Sequence, residues 1–237
     1  MGAEQQGLFT QPATQRICIV SPSDFAFLLQ DCAHCYYLKV REKLTRPGMV
    51  PGVFTAIDRQ MRNFFEGQRT ERVAPHLPPG VFDCREQWVT SKPLSFPGRG
   101  VQLVLRGKLD ALVRFDDGSF AVVDFKTSAN SEGKADTYSY QLNAYAHALE
   151  NAPAGKFGVS PVRTLGLLIF EPRVFSSAQA AAQLSGAFSW VPIRHDAERF
   201  LRFLGDVAAI LDSASPPAPS PDCDWCAYRA KLRTGSA

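Results

Sequence analysis

The sequence predicts an α/β fold: a mixed central β-sheet flanked by helices. Two observations carry this expectation. Runs of β-branched and apolar residues with strand periodicity are grouped between runs of helical periodicity, which favours a helix-flanked sheet over an all-β series. A chain of 237 residues with 45% apolar content can also bury one sizeable core, and length and composition are compatible with one domain spanning 1–237. In chain order, a helix is expected over residues 22–42, where Ser21 can cap, Pro22 suits the first position and Asp24 completes a capping-box pattern. An amphipathic helix follows over 52–67, ending before Gly67. Strands are expected at 82–92, 101–115 and 119–127, a helix at 137–150, strands at 162–171 and 187–193, and a last helix at 196–212. The alanine- and glutamine-rich run Ser176 to Gly186 reads as a loop or short helix. Ser213 to Pro221 is a stiff, proline-rich segment able to carry the end of the chain back across the domain.

Chemistry is concentrated in the middle of the chain. Ala121-Val122-Val123-Asp124-Phe125-Lys126 is a buried-strand pattern interrupted by two charges. A buried charge needs a partner or a metal. Asp124 and Lys126, two residues apart on a strand, point to the same face. The preceding run reaches this strand through Asp116-Asp117-Gly118, a turn with glycine available for a left-handed backbone. A three-residue loop pairs Phe115 with Ser119 and sets Asp110 opposite Asp124. A two-residue loop would slip the register and send Asp110 to the other face. Facing carboxylates repel unless a cation lies between them, and hard oxygen donors suit Mg²⁺ or Mn²⁺. This is the material of a metal-dependent phosphodiester-cleaving site.

Gly107-x-x-Asp110, Asp124-x-Lys126 and Gln141-x-x-x-Tyr145 resemble the successive motifs of the PD-(D/E)XK nuclease superfamily, in the RecB-like branch that includes CRISPR-associated iron-sulfur exonucleases. The resemblance implies a restriction-endonuclease-like core. It also implies that Asp110 and Asp124 bind the catalytic Mg²⁺ or Mn²⁺ with the carbonyl of Phe125 as an extra ligand, and that Lys126 acts on the attacking water and the phosphate charge. Gln141 and Tyr145, one helical turn apart, would lie beside the site. The branch usually supplies a further histidine or acid from an earlier helix; Asp58 is the candidate here, with Glu66 as rival. The implied activity is a DNA exonuclease acting on single strands or duplex ends in repair, recombination or CRISPR adaptation, with a helicase or CRISPR-adaptation partner in view. The alternative is a nuclease-like module that binds DNA or a partner without turnover.

Cys32-Ala33-His34-Cys35 and Cys223-Asp224-Trp225-Cys226 form a second constellation, with Cys18 and Cys84 left over. Each pair has metal-binding spacing, and Cys32 and Cys35 would share a helix face. The resemblance implies that the four thiolates meet, around an iron-sulfur cluster with four irons or, alternatively, a tetrahedral zinc. The related exonucleases take one ligand from the N-terminal side and three from the C-terminal side, whereas this chain offers two and two. His34 is expected beside the site, not in it.

Composition narrows the remaining classes. The formal charge of +3 does not announce nucleic acid by itself. Arg106, Lys108 and Arg114 share a strand face with Asp110, and Arg59 and Arg62 lie near Asp58, a basic rim suited to a polyanion. Tyr36, Tyr37 and Tyr138 could stack on unpaired bases. No triad, nucleophile elbow or phosphate loop is found. No run approaches the roughly 20 apolar residues of a membrane span. Met1 to Arg16 lacks a secretory pattern and Gln6 breaks the myristoylation pattern, so a cytoplasmic location without membrane contact is expected.

Overall fold

The computed structural model describes residues 15–46, 48, 51–128, 133–178 and 181–234. The readings made for Met1 to Gln6 fall outside these residues. The elements are β1 (Arg16–Val20), α1 (Pro22–Ala26), α2 (Leu28–Asp31), α3 (Ala33–Glu42), α4 (Gly52–Phe65), α5 (Thr70–Val73), β2 (Gly80–Asp83), β3 (Gln87–Thr90), β4 (Leu94–Ser95), β5 (Val101–Leu109), β6 (Ala111–Phe115), β7 (Phe120–Thr127), α6 (Lys134–Glu150), β8 (Val162–Ala178), β9 (Ala181–Ile193), α7 (Ala197–Asp212) and α8 (Asp224–Thr234). They form a mixed α/β fold with two mixed sheets flanked by helices, consistent with a restriction-endonuclease-like core. One sheet has β5 between β1 and β3, with β4 also pairing β5; the other runs β2-β6-β7-β8-β9.

The two sheets meet at Asp110. The sequence reads 101–115 and 82–92 as single strands, yet each splits between the sheets: β5 pairs β3 as far as Leu109 opposite Gln87, and β6 pairs β2 from Leu112 opposite Asp83. Cys84, Arg85 and Glu86 therefore stand against only Asp110 and Ala111, and this mismatch kinks the ladder in the manner of a bulge. The kink turns Asp110 out of the pairing pattern at the sheet junction.

The expected helix 22–42 is also broken, at Phe27 and at Cys32, where the backbone is extended (φ −162°, ψ 107°). Gln30 Nε2 donates to the Phe25 carbonyl at 3.0 Å, satisfying an acceptor at the break. Ser21 and Pro22 take the cap and first positions, but no capping box forms. Asp24 instead pairs with Lys39 at 2.6 Å, an ion pair that ties α1 to α3. β1 and α8 lie beyond the expected elements, and the described residues of Ser176 to Gly186 belong to β8, as far as Ala178, and to β9, from Ala181. Pairing there continues from Leu165 opposite Ile193 out to Ala178 opposite Ala181. Low β-propensity is overridden by the partner strand.

The strand β7 is buried on both faces, which explains its uninterrupted apolar run. Val122 joins the core beneath α6 and α7, while Ala121, Val123 and Phe125 join a second core beneath α4 with Met61, Phe65 and Phe82. α6 is buried nearly all round, and its alanines at 144, 146 and 148 let it lie close to the sheet. Burying Leu142 and Leu149 contributes about 1.5–3 kcal/mol each.

Candidate functional site

The expected turn forms as a three-residue loop. Gly118 has φ 83°, its N–H donates to the Phe115 carbonyl at 3.0 Å, and Phe115 N donates to Ser119 O at 2.9 Å. Ala111 then pairs with Val123, so Asp110, one position beyond the last ladder pair, lies on the side of Asp124 and feels its charge. Asp124 is 4% exposed. One oxygen, Oδ1, accepts from Gln141 Nε2 at 2.9 Å, and the other, Oδ2, meets the Lys126 ammonium. Asp110 Oδ2 accepts from the backbone N–H of Phe125 at 3.2 Å.

Electrostatics at this centre follow from burial and like charge. Burial, reinforced by Asp124, pushes the Asp110 carboxyl up to about 8, against the opposing pull of Lys126. For Lys126 burial acts downward, but Asp124 and Asp110 outweigh it and hold the ammonium well above the ordinary lysine range. Its Nζ lies 4.8 Å from the centre of the Tyr138 ring. Gln141 Oε1 is buried without a hydrogen-bond partner among the described residues. Two facing carboxylates and an unpartnered amide oxygen form a hard-oxygen donor set of the kind Mg²⁺ and Mn²⁺ require.

Tyr145 closes the back of the site, donating from its hydroxyl to the Lys108 carbonyl at 2.8 Å. Gly107 makes this approach possible. A Cβ there would stand 2.8 Å from Pro22 Cδ and 3.1 Å from Tyr145 Cε1. Gly107→Val is expected to destabilise the protein by about 1–3 kcal/mol by overpacking, checked by denaturant unfolding against wild type; an unchanged midpoint would contradict the packing argument.

Asp58 lines a cleft of about 650 Å³ with Phe54, Asp110, Phe125 and Lys126. Its carboxyl is raised by burial, opposed by Arg62 and Lys126, and it pairs with Arg62 at 2.8 Å. Glu66 faces elsewhere, accepting from Cys84 N at 2.5 Å. The basic rim differs from expectation, because Glu86 pairs with both Arg62, at 2.6 Å, and Lys108. A second cleft, of about 670 Å³, is lined by Trp88, Arg106, Lys108 and Gln141 and shares Asp110 and Lys126 with the first. The two clefts thus meet at the carboxylates.

The aromatic expectation is corrected. Tyr36 and Tyr37 are buried, so their faces are not offered to a ligand, while Tyr138 lines the first cleft with its ring largely covered by Lys126. The exposed rings in the clefts are Phe27 (49%), Phe54 (45%) and Trp88 (56%), with Arg106 5.2 Å from the Trp88 ring. Trp88 pairs across the ladder with Lys108, a placement that the short strand Gln87–Thr90 does not announce on its own. Asn143 was also missed. Its buried amide donates to Ser139 O at 2.9 Å and Arg194 O at 3.0 Å and accepts from Asp196 N at 3.0 Å, fixing α6 to the start of α7.

Residues 37–231 match the PD-(D/E)XK nuclease superfamily, well over half of the sequence. The chain belongs to this superfamily. Among solved structures, the crystal structure of SSO0001 aligns with a TM-score of 0.48 at 14% identity, over 83% of this chain and 78% of its own. No curated protein matches.

This PD-(D/E)XK chain brings its four-cysteine constellation together at the starts of α3 and α8. The thiols of Cys32, Cys35, Cys223 and Cys226 all lie within 4.8 Å of one another. Cys32 is not on the helix face with Cys35 but in the extended position preceding α3. Burial raises the Cys32 thiol, but hydrogen bonds from the Ser220 and Cys35 backbones and the neighbouring thiols outweigh this and bring it down to about 7. Burial leads in raising Cys226 to about 11. His34 Nδ1 stands 2.8 Å from the Pro217 carbonyl, and Tyr37 donates to Ser213 O at 3.1 Å, so the proline-rich segment is tied along α3. Cys84 is held apart, its thiol pushed up to about 12 by burial. No helix of the described residues is long and apolar enough to cross a membrane.

Proposed function

We propose that this chain is a single-domain, RecB-like nuclease that hydrolyses phosphodiester bonds of DNA with Mg²⁺ or Mn²⁺, taking unpaired strands as substrate. The observation that carries the reading is the convergence of Asp110, Asp124, Lys126 and Gln141 where two clefts meet. Asp110 and Asp124 would hold the cation, together with the Phe125 carbonyl and with Asp58 alongside. When bound, the cation polarises the phosphate and lowers the pKa of the attacking water. Lys126, protonated throughout the working range, orients that water and stabilises charge developing on the phosphate. Gln141 holds the Asp124 carboxylate in place, and Tyr145 fixes the backbone two residues before Asp110. Phe27, Phe54 and Trp88 flank the centre on both sides, which suits flipped or unpaired bases that stack on aromatic faces.

The test is digestion of end-labelled single-stranded and blunt duplex DNA of one sequence, with each metal and with chelator. Metal-dependent loss of the single strand is expected. A folded, metal-replete protein that binds DNA and does not cut it would overturn the reading in favour of a non-catalytic nuclease-like module.

Metal affinity should depend on pH with a definite sign. Below about pH 8 a proton occupies Asp110 and must leave before the cation binds. Mn²⁺ affinity is therefore expected to rise by up to about tenfold per pH unit between pH 6 and 8 and then level off. Calorimetric titration in buffers of different ionisation enthalpy reads the released proton directly. A flat profile would exclude Asp110 as a ligand.

A further inference from the structure

We infer that Cys32, Cys35, Cys223 and Cys226 hold one tetrahedral metal ion, zinc by its chemistry, in place of an iron-sulfur cluster, and that this ion fastens α8 to the body of the protein. The thiol separations are the first ground. Cys35 stands 3.4 Å from Cys226 and 3.7 Å from Cys223, and Cys32 stands 3.8 Å from Cys226. Four sulfurs about 2.3 Å from one central ion lie about 3.8 Å apart along the edges of a tetrahedron. In a four-iron cluster each thiolate binds a different iron, so the irons and sulfides lie between the thiolates and push them further apart. A set confined within 4.8 Å encloses an ion.

The equivalence of the two halves is the second ground. Cys32 immediately precedes α3 and its carbonyl accepts from Tyr36 N at 3.0 Å; Cys223 immediately precedes α8 and its carbonyl accepts from Ala227 N at 3.0 Å. Cys35 and Cys226 follow three residues later, each in the first turn of its helix. Each helix N-terminus thus presents two thiols from the same positions, so the two halves of the set are related by matching backbone geometry. Ser220 N adds a donor to Cys32 Sγ at 3.5 Å. Four ligands with three of the cysteines buried make a closed site, the form structural zinc takes.

The ion's position gives it a task. Among the described residues, the apolar cluster around the thiols adds only Leu28 and Trp225 to the cysteines themselves. Tyr228 and Leu232 of α8 are exposed. Little apolar burial holds this helix, so the metal bonds are the main attachment. The ion also braces α2, whose Gln30 bridges the carbonyls of Phe25 and Thr137, next to the Phe27 wall of the first cleft.

The test uses full-length protein produced with iron and zinc both supplied and purified without oxygen, followed by elemental analysis and the visible spectrum. One zinc per chain and a colourless solution are expected. Cobalt exchanged into the site should give thiolate-to-cobalt charge-transfer bands and intense tetrahedral ligand-field bands, which need no variant to fold. Limited proteolysis should clip α8 at least tenfold faster after chelation, with the rest of the chain resistant. About four irons per chain with a brown colour would overturn the inference, as would a metal-free protein with four titratable thiols. Metal content is read without cleavage, so this outcome and that of the nuclease assay are independent.

Discussion

Lys126→Met and Asp124→Ala are each expected to lower DNA cleavage by on the order of 10³-fold, the loss associated with removing one preorganised charge at a developing anion. Both substitutions also disturb the fold in a way that separates them from a simple surface change. Asp124 is buried against Lys126, and removing one partner of a buried pair leaves an uncompensated charge at about 3–5 kcal/mol. In Lys126→Met the stranded carboxylates regain a counter-charge only from the divalent cation. Mn²⁺ should therefore raise the melting temperature of Lys126→Met more than that of wild type, while cleavage stays lost. A variant that melts normally in metal and cuts at the wild-type rate would remove Lys126 from the mechanism. Melting curves with and without metal, run beside the cleavage assay, distinguish a lost catalyst from a lost fold.

The central hairpin was legible because its determinants are local. Asp116-Asp117-Gly118 fixes the loop, the loop fixes the register, and the register puts Asp110 on the side of Asp124. The charges of Asp124 and Lys126 stood out because they interrupt a strand whose other residues feed two cores. The split of 82–92 and 101–115 was hidden for the converse reason. Strand periodicity runs straight through Asp110, and only the pairing of three residues against two, across separate segments, bends it. Likewise Cys32 leaves the helix although nothing in Leu28 to Cys35 forbids continuity. Trp88 and Asn143 escaped notice because each acts through tertiary neighbours: a tryptophan exposed in a cleft and a buried amide satisfied by three backbone groups, two of them in the connection between β9 and α7. The basic rim was misjudged because Glu86, unremarkable in sequence, folds back between Arg62 and Lys108.

Asp110→Asn is expected to stabilise the metal-free protein and abolish its cleavage. The carboxyl of Asp110 is raised from its ordinary value to about 8 by burial and by Asp124. A raised carboxyl favours the folded state only while protonated, so its contribution is intact below about pH 4 and is lost as pH climbs to about 8. Asparagine never ionises, and its carbonyl can still accept from Phe125 N. The variant and wild type should thus melt together near pH 4. At pH 8.5 the metal-free variant should melt higher, by on the order of 10 °C, given about 1.4 kcal/mol for each pH unit over which the carboxyl is displaced and about 2–4 °C per kcal/mol for a chain of this size. Mn²⁺ should reverse the order, stabilising wild type and leaving the variant unmoved. A variant less stable than wild type at pH 8.5, or one that still cuts, would mean that Asp110 is not the repelled partner of Asp124. The repulsion that weakens the metal-free site is the same charge density that selects a divalent cation, so stability and catalysis trade against each other at this residue.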